Sequence, residues 1–330
     1  MQKLLNDPDD FVDEALEGFV LAHAARVRQV DGEPRAVVRR GPPPQPRVAV
    51  ATGGGFGHLP LFVGYVATGF ADGCAVGNMF ASPSTDVMLA VTRAVDAGRG
   101  VLYVYGNYGG DKLNFEAAAE LAGDEDIEVE TVRVNDDILS APVDERARRR
   151  GIAGIWFAYA VAAAAVRRGD DLATAASVTR RAVDRTRSVG VALAAPILPG
   201  VGTPNFELAA GEMEIGTGIH GEPGVRRGPL QRADDVVDEL MPPLLDELAM
   251  PAGAPAAVLI NGLGATPMEE LYIVYRRVHH WLTKAGVAVA DVVVGEHAAS
   301  LEMAGASISV LHLDDELSAL LAATTAWLAG

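Results

Sequence analysis

His220 has the neighbours that chemistry by a side chain needs. It stands in Thr217-Gly218-Ile219-His220-Gly221-Glu222-Pro223-Gly224, an imidazole held between glycines beside a carboxylate and a turn-fixing proline. A histidine so placed is open enough to serve as nucleophile, base or metal ligand, its plain alternative being a solvated turn residue. No HExxH, HxH or Cys/His cluster accompanies it, so a metal site is not expected. Two other stretches carry comparable possibilities. In Gly53-Gly54-Gly55-Phe56-Gly57-His58, glycines after an apolar run would let backbone N–H groups approach a polar ligand, the alternative being a tight strand–helix turn. In Gly106-Asn107-Tyr108-Gly109-Gly110-Asp111, Asp111 is a candidate general base, and a helix N-cap for residues 112–121 is its commoner use.

Neither glycine cluster is a standard nucleotide loop. The dinucleotide fingerprint requires glycine where His58 stands, and a Walker loop requires Gly-Lys, whereas Lys3, Lys112 and Lys284 follow no glycine. Cys74 is the single cysteine and reads as a small buried apolar residue. His279 and His280 fall on a predicted helix beside Arg276 and Arg277 and read as a polar face, while His23, His297 and His312 have no evident partners. Asp234-Asp235 and Asp314-Asp315 precede apolar-periodic runs, where the helix dipole favours negative charge.

The elements that must position these residues follow from the apolar pattern. An amphipathic helix at about 9–25 leads through a Pro-rich loop (41–46) into a buried strand at 47–52, the glycine cluster and a helical segment. Further strands are predicted at 100–105 and 127–134 with a helix at 115–121 between them, then helices from 152 and at 172–185. Beyond these come strands at 189–193 and 212–217, a helix at 234–248, a strand at 256–261 and a helix at 267–285. Strands near 287–294 and 307–313 and a closing helix complete the chain. The alternation predicts two α/β domains, 1–185 and 186–330, each a mainly parallel or mixed sheet flanked by helices. The longest apolar stretch, 152–166, is too short to cross a bilayer and reads as a buried helix.

Composition excludes other roles. The 330 residues carry 44 acidic against 27 basic side chains, a net charge of −17, which repels nucleic-acid backbones and anionic membrane surfaces. No basic-then-apolar export signal opens the chain, and with one cysteine a cytoplasmic location is expected.

In order along the chain, the motifs resemble the K subunit of the dihydroxyacetone kinase family. The resemblance runs from Lys3-Leu4-Leu5-Asn6-Asp7 through the cluster at 53–58, Asn107-Tyr108 with Gly110-Asp111, Gly151-Ile152-Ala153, Ser188-Val189-Gly190 and the His220 loop. It continues in Asn261-Gly262-Leu263-Gly264-Ala265-Thr266-Pro267 and Ser300-Leu301-Glu302-Met303. It implies a two-domain subunit, usually a homodimer, whose His220 adds to a ketose carbonyl to form a hemiaminal. Asp111 would take the proton of the hydroxyl being phosphorylated, His58 would hydrogen-bond the ketose, and Gly54, Gly55, Gly57 and Gly106 would line it. The substrate would be dihydroxyacetone or a ketotetrose. The resemblance implies no cofactor in this chain; Mg-ADP or Mg-ATP would sit on a helical partner subunit. A ketose-sensing coactivator without kinase activity is the alternative. Two departures stand out: Phe56 replaces a common serine, and Gly106 replaces a common lysine, so the pocket should lose a cation and gain a ring.

Overall fold

The computed structural model describes residues 3–41 and 45–328, with side chains described to residue 325; Met1, Gln2, the prolines at 42–44 of the predicted loop and the last two residues lie outside the described residues. Helix α1 (Phe11–Ala22) is followed by β1 (Val27–Val30), β2 (Glu33–Arg39), β3 (Ala49–Phe56), α2 (Val63–Thr68), β4 (Gly73–Met79), α3 (Thr85–Val95), β5 (Val101–Gly106), α4 (Gly109–Gly123) and β6 (Val129–Val134). After α5 (Ile155–Arg168) and α6 (Leu172–Asp184) come β7 (Thr186–Ala194), β8 (Glu212–Ile215), β9 (Arg226–Pro229), α7 (Ala233–Leu248), β10 (Pro255–Gly262), α8 (Met268–Lys284), β11 (Ala288–Gly295), β12 (Ala304–His312) and α9 (Asp315–Leu328).

Two six-stranded sheets result, as the α/β pattern requires. The first has the order β1-β2-β4-β3-β5-β6, parallel from β4 to β6 with an antiparallel hairpin at its edge. The second, β11-β10-β12-β7-β8-β9, is mixed and mostly antiparallel.

Alternation along the strands sorts the core into layers. In the first sheet Ala49, Ala51, Tyr103 and Tyr105 pack under α3 and α4, while Val48, Val50, Leu102 and Val104 face the opposite way, toward α1, α2, α5 and α6. The same cluster continues through α9 to Ala257, Leu259 and Leu311 of the second sheet, whose far face is covered by α7 and α8. Helix α5 therefore lies between the sheets, and each of residues 155–166 is buried, as the apolar stretch there predicts. Among the described residues no helix is long and apolar enough to cross a membrane.

The departures from the sequence reading are local. The opening helix is shorter than 9–25, and α4 begins six residues before the predicted start at 115. The strand predicted to stop at 52 continues through the glycines to Phe56, because β4 pairs with it there, from Ala51↔Gly73 to Phe56↔Met79. Strands β1, β2, β4 and β9 and helix α3 are elements the apolar pattern does not predict.

Candidate active site

The chain runs from β3 to β4 on one side of β3, then crosses to β5 on the other, so the crevice outside the carboxyl ends of β3 and β5 is a topological switch point. His58 leaves the first of these ends and Asp111 the second. Glycines at the end of β3 are needed for close packing. A Cβ at Gly53 would lie 2.6 Å from the Ala75 carbonyl oxygen, one at Gly54 would overlap the Phe62 ring, and one at Gly55 would lie 2.6–2.7 Å from the backbone of Phe80 and Ala81. Gly57, at φ +109°, turns the chain inward.

That turn buries His58, which is 1% exposed. Its Nδ1 donates to the Ala299 carbonyl at 2.8 Å, which leaves Nε2 as an acceptor, and Nε2 is buried without a partner. Burial, reinforced by the nearby His220, pushes its pKa down to about 3, so the ring is neutral.

Asp111 lies in the first turn of α4, but the cap position is Tyr108 and no side chain caps the helix. The N-cap alternative is thus excluded by geometry: the carboxylate sits inside the helix, 6% exposed, with Oδ1 buried and unpartnered. Burial pushes its pKa up to about 6, against the opposing pull of the Ser82 hydroxyl and of His220. Gly106 packs against the Tyr108 ring, which a Cβ would meet at 3.0 Å, so part of the space expected to be freed by a missing lysine is filled by Tyr108. Asn107 donates to the Ala147 and Arg149 carbonyls (3.0 and 2.8 Å) and Tyr108 to that of Gly151 (2.9 Å), which pins this loop to residues 147–151.

His220 follows β8 in a turn closed by Gly221 N–H to the Gly218 carbonyl at 3.0 Å. Three rings surround it edge-on: Tyr108 at 4.7 Å, His58 at 4.8 Å and Phe80 at 5.5 Å between centroids. Phe80 also stacks on His58 at 4.8 Å. The Glu222 carboxylate receives the His220 backbone N–H at 3.0 Å and lies 3.1 Å from its Nδ1. Burial pushes Glu222 up, but His220 and Arg150 outweigh it and hold the carboxyl at about 2.

One loop ties the two histidines together. Besides the Ala299 carbonyl on His58, the Ser300 hydroxyl donates to the Ile219 carbonyl at 2.5 Å and Leu301 N–H to the Gly57 carbonyl at 2.8 Å. Asn261 shapes that loop: its Oδ1 accepts from the backbone of His297 and Ala298 (2.8 and 2.9 Å), and its Nδ2 donates to the Ala298 carbonyl at 3.0 Å.

The structure therefore brings His58, Asp111 and His220 to one place. Phe56, expected to give the pocket its aromatic ring, instead packs in the core against Phe11 at 6.4 Å, and the ring beside the histidines is that of Phe80. His279 and His280 are exposed on α8, and Asp234 adds an ion pair with Arg276 at 2.5 Å to its place in the first turn of α7. Among the described residues no group of three or more His, Cys, Asp or Glu is arranged to hold a metal ion.

Residues 17–329 match the Dak1 domain family. The chain is 45% identical over 321 residues to the dihydroxyacetone-binding subunit DhaK of PTS-dependent dihydroxyacetone kinase 2 from Listeria innocua, covering 97% of this chain and 96% of that protein. It is 44% identical to the L-erythrulose kinase of Pectobacterium atrosepticum over 96% of this chain, and spans only 54% of that longer protein. Among solved structures, the dihydroxyacetone kinase of C. freundii superposes with a TM-score of 0.88 at 32% identity, over 97% of this chain and 58% of that one. A dihydroxyacetone kinase operon co-activator superposes with a TM-score of 0.87 at 27% identity, over 96% of this chain and 98% of that one.

Proposed function

The chain belongs to the Dak1 domain family, and from that premise we propose that it is the ketose-binding subunit of a dihydroxyacetone-type kinase, holding its substrate covalently on His220. The observation that carries this reading is that His58, whose ring lies 4.8 Å from that of His220, and Asp111, which feels the His220 charge, each keep a buried side-chain atom without a protein partner, Nε2 and Oδ1. Each such atom costs ~1–3 kcal/mol while unsatisfied, so the site is built for a ligand that pairs both. A short ketose does so: its carbonyl carbon is electrophilic and its flanking hydroxyls are donors. In the proposed step, His220 Nε2 attacks the carbonyl carbon, a C–N bond forms, and the carbonyl π pair moves to oxygen, which takes a proton. Glycerol, without a carbonyl, is rejected. Neutral His58 accepts a hydrogen bond from the ketose. Asp111 accepts the proton of the terminal hydroxyl as that oxygen attacks the phosphorus of the donor nucleotide and the bond to the leaving diphosphate breaks.

In this reading the nucleotide, Mg-ATP or a Mg-ADP recharged by a phosphotransfer protein, is held by a helical partner subunit. Residues 1–185 supply His58 and Asp111, residues 186–330 supply His220, and the subunit pairs as a homodimer. The test is reconstitution. The isolated chain with ATP and dihydroxyacetone gives no product, and adding the nucleotide-binding subunit gives turnover; product from the homogeneous chain alone would overturn the assignment.

The second reading, a ketose-sensing coactivator, is favoured by the fold-wide likeness to the co-activator structure. A sensor needs His220 to hold a carbonyl but has no use for a buried base, and Asp111 with its raised pKa therefore favours the kinase.

Among ketoses we infer a preference for a ketotetrose, in line with the erythrulose kinase likeness. Gly106 removes a long cationic side chain from one end of the site, although Tyr108 refills part of that space. One hydroxymethyl group changes discrimination by ~1–3 kcal/mol, so the preference in kcat/KM for an erythrulose enantiomer over dihydroxyacetone is expected to be at most roughly 10- to 200-fold. Gly106→Lys, which must push the Tyr108 ring aside, shifts selectivity toward the three-carbon ketose. An unchanged ratio would show that position 106 does not face substrate.

A further inference from the structure

The chemistry assigned to His220 depends on which ring nitrogen carries the proton, and nothing in the ring itself decides that. Glu222 does. Its Oε1 lies 3.1 Å from His220 Nδ1 and its Oε2 accepts the His220 backbone N–H at 3.0 Å, so one carboxylate grips both ring and backbone of the residue two positions upstream. An ionised carboxylate only accepts, which forces the proton onto Nδ1 and leaves the lone pair on Nε2.

The carboxylate is itself held from behind. Arg150 Nη1 lies 3.9 Å from Glu222 Oε2, and Arg150 is fixed by Asp137 (2.8 Å) and by the Gly216 carbonyl (3.0 Å). Arg149, the residue before it, is locked in place by two 2.7 Å bonds to Glu247. A second observation points the same way. Gly218 lies where a Cβ would overlap both Glu222 Oε2 and Arg150 Nη1, so the turn carries glycine at a position of ordinary φ to let this pair sit beneath the histidine.

We propose that Glu222, backed by Arg150, is the positioning residue that fixes the Nδ1–H tautomer of His220 and so presents Nε2 to the ketose carbonyl. The proposal rests on the reading of His220 as nucleophile. When Nε2 makes the C–N bond and the carbonyl oxygen takes a proton from solvent, the ring keeps its Nδ1 proton and becomes cationic. Glu222 then faces that charge, so it stabilises the adduct as well as directing its formation. An amide in its place can offer either its oxygen or its NH2, and so accepts both tautomers.

The experiment reads tautomer and adduct separately in the full chain. Long-range 1H–15N spectra without ligand are expected to show His220 with Nδ1 protonated and Nε2 bare, and Glu222→Gln to bring up the Nε2–H form. With [2-13C]dihydroxyacetone, the concentration that half-converts the carbonyl signal to an sp3 adduct signal is expected to rise roughly 10–100-fold in Glu222→Gln, the size of effect carried by a carboxylate behind a working histidine. Glu222→Asp restores part of both, and Gly218→Ala, which displaces the carboxylate without removing it, reproduces the Glu222→Gln changes. An unchanged tautomer in Glu222→Gln overturns the proposal whether or not capture falls, because the carboxylate would then only brace the turn. A wild-type chain whose tautomer responds to Glu222 but which forms no sp3 adduct upholds the tautomer assignment and defeats the covalent reading of His220.

Discussion

His220→Ala is expected to abolish ketose capture. In the wild-type chain the carbonyl carbon of [2-13C]dihydroxyacetone is expected to give a protein-bound sp3 signal distinct from that of the free hydrate, and in the variant that bound signal is expected to be absent at any ketose concentration. With the bond goes the orientation of the terminal hydroxyl, so kcat/KM with the nucleotide-binding subunit falls on the order of 10²-fold or more, the scale that loss of alignment carries. The fold should tolerate the change, because the His220 side chain is 22% exposed and its loop is held through its backbone carbonyls, which accept from the Ser300 hydroxyl and the Asn205 side-chain amide. An adduct signal that survives in His220→Ala would place the bond on another residue.

Asp111→Asn separates capture from transfer. The adduct should form as in the wild type while turnover drops by roughly 10²–10⁴, the usual cost of losing a general base. The pH profile of the wild-type enzyme carries a matching sign. Burial raises the Asp111 pKa in the free chain to about 6, so below that value the group is protonated and cannot accept, and kcat/KM falls about tenfold per pH unit through this group; above it this limb is flat. The variant loses this limb. Stability should move the other way. A carboxyl whose folded pKa lies above its unfolded value costs stability once pH exceeds both, so at neutral pH the asparagine variant is expected to melt higher, by up to about 3 kcal/mol of stability. A helix-cap aspartate would show the opposite, a lower melting temperature with turnover intact.

The sequence makes some of this site legible and hides the rest for identifiable reasons. His58, Asp111 and His220 stand out because each sits among glycines at the end of an apolar run, a pattern that marks loops at sheet edges. Phe80 does not stand out, because it lies on the connection between β4 and α3, the two consecutive elements that the pattern reading lacks. Signals for both were present: Ser84 caps α3 by accepting from Val87 N–H, and the apolar run 74–76 is bounded by glycines. The β1–β2 hairpin likewise carries an Asp31-Gly32 turn, with Gly32 at φ +80°, but its strands are short and rich in charge. The contribution of Ala299 and Leu301 is of another kind. They act through a backbone carbonyl and a backbone N–H, which any residue but proline supplies, so no side-chain pattern announces them. Helix α4 starts at Gly109, earlier than the apolar pattern marks it, although glycines are poor helix formers.

The loop that grips His58 and the His220 turn at once makes the binding site the seam between the two sheets: the His58–Ala299 bond alone spans 241 residues of sequence. In the proposed reading, a ketose bonded to His220 and hydrogen-bonded to His58 would act there as a rivet driven through both plates. Such a ligand would bind the joined form more tightly than a parted one, so the part of its affinity that comes through His58 would also be cohesion between the halves.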